Sequence, residues 1–210
     1  MAFNITPADL RKLKPALVET RAQLFANVLN ESFVQGDITT ARRCCHFMAQ
    51  VMVATGGLSS LVESTSYRDA RRLDELFANV QGIDHAQRLI ALGAQAIGNT
   101  IYANKLGNGG IDSGDGYRFR GRGFLQVTGR DNYRNIGKIA EMPLERQPEQ
   151  MGEPVPAARA AGIYWRTRNI NGAADADDVS TVTLLVNGTA RLHLKERRDW
   201  LAKAKSVWAN

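Results

Sequence analysis

Residues 113–133, SGDGYRFRGRGFLQVTGRDNY, concentrate glycine, arginine and apolar side chains more densely than any other stretch of the chain. Gly114, Gly116, Gly121 and Gly123 admit positive φ or the close approach of another group, a freedom that is costly where a segment has only to pack. Something is therefore expected to lie against this backbone. Tyr117, Phe119, Phe124, Leu125 and Val127 partly alternate with Arg118, Arg120, Gln126 and Thr128, as short strands with one buried face and one face of donors would. The stretch reads as a small β-hairpin lining a cleft. The plainer alternative is a tight hairpin whose arginines are only solvated, and for Tyr117, Arg118 and Arg120 that plainer role, core or structural, is the preferred one.

Outward from this stretch the chain is helical. Thr6, followed by Pro7 and Asp9, is an N-cap signature, and Pro15 is placed to open a second helix through Leu17, Phe25, Val28 and Leu29. Thr39 or Thr40 can cap a third helix carrying Cys44, Phe47, Met48, Val51 and Met52, which Gly56 and Gly57 end. Further helical segments are expected over residues 68–80, from Asp84 with a break at Gly93, from Asp131 or Asn132, over 157–165, over 178–186 and from about Thr189 to Trp208. The fold class that follows is mainly α with a small β element.

The 210 residues, 44% hydrophobic and 23% charged, fit one soluble globular domain or one domain of two lobes. No apolar run approaches the roughly 20 residues of a spanning helix, so no membrane insertion is expected. The net charge of +6 suits an anionic surface or polymer. Arginine and lysine are dispersed and no nucleic-acid motif appears, so no nucleic-acid partner is expected. Cys44 and Cys45 are adjacent and read as reduced, with at least one in a helix core. His46, His85 and His193 are scattered, so neither metal nor cofactor is expected. The N-terminus lacks a continuous apolar core and does not read as a secretory signal. A monomer is expected.

The block GDGYRFRGRGFLQVTGRDNY resembles the core signature of glycoside hydrolase family 19, in the branch that holds phage endolysins and related bacterial peptidoglycan hydrolases. The similarity extends to IGNTIYANKLGNG at 97–109 and MAQVMVATGGLSSLVESTSY at 48–67, with a weaker echo at Val186-Asn187-Gly188 and Glu196-Arg197-Arg198. It implies one catalytic domain over residues 1–210 with an α+β lysozyme-like fold, two helical lobes and a small β-hairpin lining a cleft. The implied partner is the peptidoglycan glycan strand, with chitin as the alternative substrate and a non-catalytic wall-binding protein as a third reading. The protein would be made in the cytoplasm and reach the wall through a holin or a secretion system, in the latter case with a possible immunity protein as partner.

In the family the helix before the paired glycines reads Ala-Gln-x-x-His-Glu-(Ser or Thr)-Gly-Gly, and its glutamate is the general acid. Here the run is Ala49-Gln50-Val51-Met52-Val53-Ala54-Thr55-Gly56-Gly57. Ala54 therefore occupies the acid's position and Val53 that of the histidine. Alanine has no proton to give, so the chain is expected to bind without cleaving. The pattern reads as a deliberate glutamate-to-alanine replacement, natural loss being the alternative. Glu63 matches a second glutamate, and inversion through an intervening water requires about 6.5 to 9.5 Å between two such carboxylates. By the same resemblance Thr128 holds the attacking water. Gln126, Asn132, Tyr133 and Asn187 would contact sugar, and Arg198 or Arg197 would support the cleft. Thr189 departs from the second glycine of the family's Asn-Gly-Gly loop.

Overall fold

The structure, a computed structural model, describes residues 1–209. In chain order the helices are α1 (Pro7–Leu13), α2 (Glu19–Gln35), α3 (Ala41–Ala54), α4 (Ala70–Leu76), α5 (Ile83–Leu92) and α6 (Ala94–Ile101). They continue with α7 (Asp115–Arg118), α8 (Arg130–Ala140), α9 (Pro154–Thr167), α10 (Ile170–Asp175), α11 (Val179–Asn187) and α12 (Leu194–Trp208). The fold is mainly α, as the periodicity implied. The β-hairpin expected within 113–133 is reduced to the antiparallel pair of Arg122 and Val127 about a four-residue turn. Its first part is the single helical turn of α7, and pairing among the described residues is limited to isolated bridges from Arg122 to Val62 and to Val127.

Local sequence sets most helix ends. Thr6 and Asp9 close a capping box on α1, Thr40 caps α3 and Asp178 caps α11, each satisfying N–H groups that a first helical turn leaves open. Pro15 does not open α2. Lys14, forced out of helical geometry by the following proline, ends α1, and α2 starts at Glu19. Gly93 separates α5 from α6 with φ +91°.

The chain divides into two compact units: Met1–Leu61 with Gly123–Gln126 and Gln150–Asn210, and Val62–Arg122 with Val127–Glu149. In the first unit the core is aromatic: Phe33, Phe47 and Trp165 meet edge to face at centroid distances of 5.6 and 5.2 Å, and Phe124 stands on Phe25 at 5.3 Å. Ser32 Oγ donates to Ala158 O at 2.7 Å, and a side chain at Gly162 would collide with Ser32 O, so α2 and α9 run in backbone contact. Cys44 and Cys45 are free and buried in α3. In the second unit Leu73, Val80, Ala86, Leu89, Ile97 and Ile101 form the core, with Tyr67, Phe77 and Tyr102 packed on it.

Candidate active site

The chemistry-bearing cluster lies in the second unit around Glu63. Its amide donates to Gly121 O at 2.9 Å, which fixes the backbone beside the Val62 to Arg122 bridge. The carboxylate is held from both sides: the Tyr102 hydroxyl donates to Oε1 at 2.7 Å and the Gly121 amide to Oε2 at 2.8 Å. Tyr102 caps the C-terminus of α6 and also hydrogen-bonds the Thr128 hydroxyl, so Thr128, Tyr102 and Glu63 form one chain. Burial, reinforced by the negative charge of Glu63, pushes the Tyr102 phenol far above its ordinary value, which keeps it a donor. Tyr67 is raised by the same two causes in the same order.

Below this cluster Tyr133 is fully buried. Its hydroxyl donates to Arg120 O at 2.8 Å and accepts from Arg122 Nη1 at 3.0 Å, and burial pushes its pKa up to about 12. Arg120 stacks over the Tyr117 ring at 4.0 Å and donates to Tyr117 O, while its own pKa is lowered by burial and then by the neighbouring Arg122. Asn132 Nδ2 donates to Thr128 O at 2.7 Å. Glu63 is thus a half-buried carboxylate with one bond on each oxygen, able to take a proton from a water, and Thr128 is anchored at both backbone and side chain.

In the first unit α3 ends at Ala54, and Gly56 and Gly57 turn the chain with φ +58° and +73°. Ala54 is half-buried and carries nothing to donate. One turn earlier, Gln50 is fully buried; its Oε1 accepts from Arg197 Nη1 at 2.5 Å and its Nε2 lies 3.4 Å from Thr183 Oγ1. Arg197 is 4% exposed, and its Nε donates to Leu192 O at 3.1 Å. Both oxygens that accept from this guanidinium are neutral, and burial holds its pKa down at about 10.

No family model matches the chain. A Haemophilus influenzae protein described as a glycosyl hydrolase family 19 domain-containing protein is 40% identical over 95 residues, 45% of this chain and 45% of that protein. The chain thus aligns with under half the length of this curated relative. Among solved structures, chitinase C from Streptomyces griseus superposes with a TM-score of 0.63 at 15% identity, over 100% of this chain and 94% of that one. A bacterial family 19 chitinase gives 0.58 at 17% identity, over 98% and 95% of the two chains. The fold is that of glycoside hydrolase family 19.

Within the family 19 fold, the residues singled out in the sequence take unequal places. Glu63, Thr128 and Asn132 are brought together in the second unit. Tyr133 differs from its expectation: fully buried, it bonds the Arg120 carbonyl and the Arg122 guanidinium and has no surface to offer a sugar. Gln126, at φ +51°, folds its amide back onto Gly123 O at 3.2 Å. Asn187 closes its own loop by accepting from Leu192 N at 2.8 Å. Of the two arginines, Arg198 is exposed and Arg197 is buried. Sequence reasoning missed Tyr102. It stands where an apolar helical face ends in a phenol, which is the only signal it leaves.

Proposed function

We propose that this chain is a glycosidase-type protein of the family 19 fold that binds the β-1,4-linked glycan strand of peptidoglycan, and that it does not cleave it as it stands because Ala54 replaces the general acid. The observation that carries the reading is the carboxylate of Glu63 held by Tyr102 and Gly121, with Thr128 one hydrogen bond further along. In an inverting reaction Glu63 would take a proton from water as that water attacks the anomeric carbon, and Thr128 would help orient the water. A glutamate at position 54 would protonate the departing oxygen.

Chitin is the second reading, favoured by the solved structures described as chitinases. The deciding experiment is Ala54→Glu, assayed on purified cell walls and on chitin oligomers. Lysis of walls by the variant, with none by the parent, is the expected result. Cleavage confined to chitin would move the substrate assignment, and a folded variant inert on both would sink the catalytic reading.

A further inference from the structure

In the second unit the loop over residues 103–109 joins the two ends of the hydrogen-bond chain that holds Glu63. Tyr102, which closes α6, stands before it, and Gly129, next to Thr128 at the entrance to α8, lies against it. The contact is tight, since a Cβ at Gly129 would collide with that of Leu106. Gly129 brings no side-chain cap to α8, and the first N–H groups of such a helix need partners from outside it. The loop supplies them: Arg130 N donates to Asn108 Oδ1 at 2.9 Å, and Asp131 N donates to Leu106 O at 3.1 Å.

Asn108 is the part of this loop that reaches both ends. It is 7% exposed, and while its Oδ1 accepts from Arg130 N, its Nδ2 donates to Tyr102 O at 3.0 Å, a shorter bond than the 3.3 Å one which that carbonyl accepts from Lys105 N. The amide stands only this way round, because a flip would set oxygen against carbonyl and NH₂ against N–H. Tyr102 is thereby fastened to residues 128–130 twice, by its backbone through Asn108 and by its phenol through the Thr128 hydroxyl. The loop has one more anchor, and that one does not touch Tyr102: Asp115 Oδ2 accepts from Gly109 N at 3.0 Å and from Arg130 Nη1 at 3.2 Å.

We propose that Asn108 is a positioning residue for Glu63: by fixing the Tyr102 backbone against the start of α8, it sets where the phenol meets Glu63 Oε1. An asparagine that only capped α8 would need its oxygen alone. The second bond, from Nδ2 to the Tyr102 carbonyl, is what links it to the site. The phenol lies at the far end of a rigid ring, so a shift at the Tyr102 backbone is passed on to the hydroxyl. Its bond to Oε1, 2.7 Å long, weakens steeply once donor and acceptor fall out of line. The inference rests on the role proposed above for Glu63 and adds a residue that acts on it without touching the reacting groups.

The test begins with the chain as it is, labelled with carbon-13 at tyrosine Cζ, whose NMR signal follows the hydrogen bond of the phenol. Loss of one line in Tyr102→Phe identifies Tyr102, and Glu63→Gln shows which way that line moves when the charged acceptor is removed. Asn108→Ala should move the line the same way. So should the isosteric Asn108→Asp, which keeps an oxygen for Arg130 N and loses the donor to Tyr102 O. Asp115→Asn, which loosens the other anchor, should move it less. A stationary line in a folded Asn108 variant, or an equal movement in Asp115→Asn, would overturn the proposal and leave the proposed function standing. In the Ala54→Glu background, Asn108→Asp should lower kcat by about 3- to 10-fold, the worth of a neutral hydrogen bond, with KM little changed. Once Tyr102→Phe is present it should cost nothing further, and a full additional loss would also overturn the proposal. An Ala54→Glu variant inert on every glycan, with the Tyr102 line moving as expected, would sink the proposed function and with it the catalytic meaning of the brace.

Discussion

Glu63 in the second unit and Arg197 in the first are both ionic groups inside hydrogen-bond networks, but the networks differ in kind. Two donors, the Tyr102 hydroxyl and the Gly121 amide, meet the carboxylate, and a third side chain, Thr128, holds the first of them. The guanidinium hydrogen-bonds an amide oxygen and a backbone carbonyl, and the charge of the neighbouring Glu196 only partly offsets its burial. A charge-assisted hydrogen bond stabilises more than a neutral one, and a buried cation facing only neutral oxygens carries a desolvation cost that a carboxylate would offset. Under the proposed function, Glu63 is furnished for its role and position 54 is not.

The sharpest way to break this comparison is to restore position 54 and then dismantle the base end. In an active Ala54→Glu background, Glu63→Gln should lower kcat by about 10²- to 10⁴-fold, the span of a general base. Tyr102→Phe removes one donor to a charged oxygen, a bond worth about 1.5–3 kcal/mol, and should lower kcat by about 10-fold or more with KM little changed. Equal losses from Thr128→Val and Tyr102→Phe, with no further loss in the double variant, would show the chain from Thr128 to Glu63 acting as one device. A kcat untouched by Tyr102→Phe would reduce Tyr102 to packing.

How legible these features were depends on how local their causes are. The caps at Thr6, Thr40 and Asp178 and the break at Gly93 rest on neighbours a few residues away, and they stand in the structure as the sequence implies. Something does lie against the backbone at Gly116, and it is α6: an added Cβ would collide with Gly98 O and Asn99 Cα. Only tertiary packing could reveal that. The alternation of Tyr117, Phe119, Arg118 and Arg120 likewise looked like strand because period-two patterns over so few residues fit a helical turn almost as well. Glu63 and Thr128 were found through motif resemblance, whereas Tyr102 needed three dimensions, its partners being 39 residues before it and in a loop after it.

Arg197→Met probes the other side of the comparison, and the effect sought is a difference between backgrounds. With Ala54 present, the substitution removes a buried charge of uncertain benefit along with two hydrogen bonds, so the net change in stability should be small. With Ala54→Glu, the new side chain lies one turn beyond Gln50 on the same face of α3 and is expected to tilt back toward Gln50 and the guanidinium bonded to it. The cost of losing Arg197 should then rise by about 1–3 kcal/mol, read as the coupling term of a double-mutant cycle in denaturant melts. Coupling near zero would show that Arg197 was never matched to an acid at position 54, and the asymmetry would lose its meaning.

The smallest effect concerns His46, a second ionisable group buried in the first unit and one that, unlike Arg197, is hydrogen-bonded to an acid. Its ring is 0% exposed, with Nε2 at 2.8 Å from Asp177 Oδ1 and Nδ1 without a partner among the described residues. Nε2 therefore carries the proton of the neutral ring, and protonating Nδ1 would bury a second, unpaired donor. Burial lowers the His46 pKa, and it outweighs the opposing pull of Asp177, which is itself held below the usual carboxylate range by Lys205 at 2.6 Å and then by His46. Lys205 and Arg42 push the His46 value down further. Because the folded state resists a proton that the unfolded histidine accepts near its ordinary value of about 6.5, stability should fall as pH drops from about 7 toward 5. The Asp177 contribution has the same sign but a lower window, being lost only as pH falls below about 4. His46→Gln keeps a donor for Asp177 and removes the titration, so it should flatten the thermal-melt profile near neutrality while leaving the acid limb unchanged. An unaltered slope between pH 7 and 5 would assign that dependence to groups other than His46.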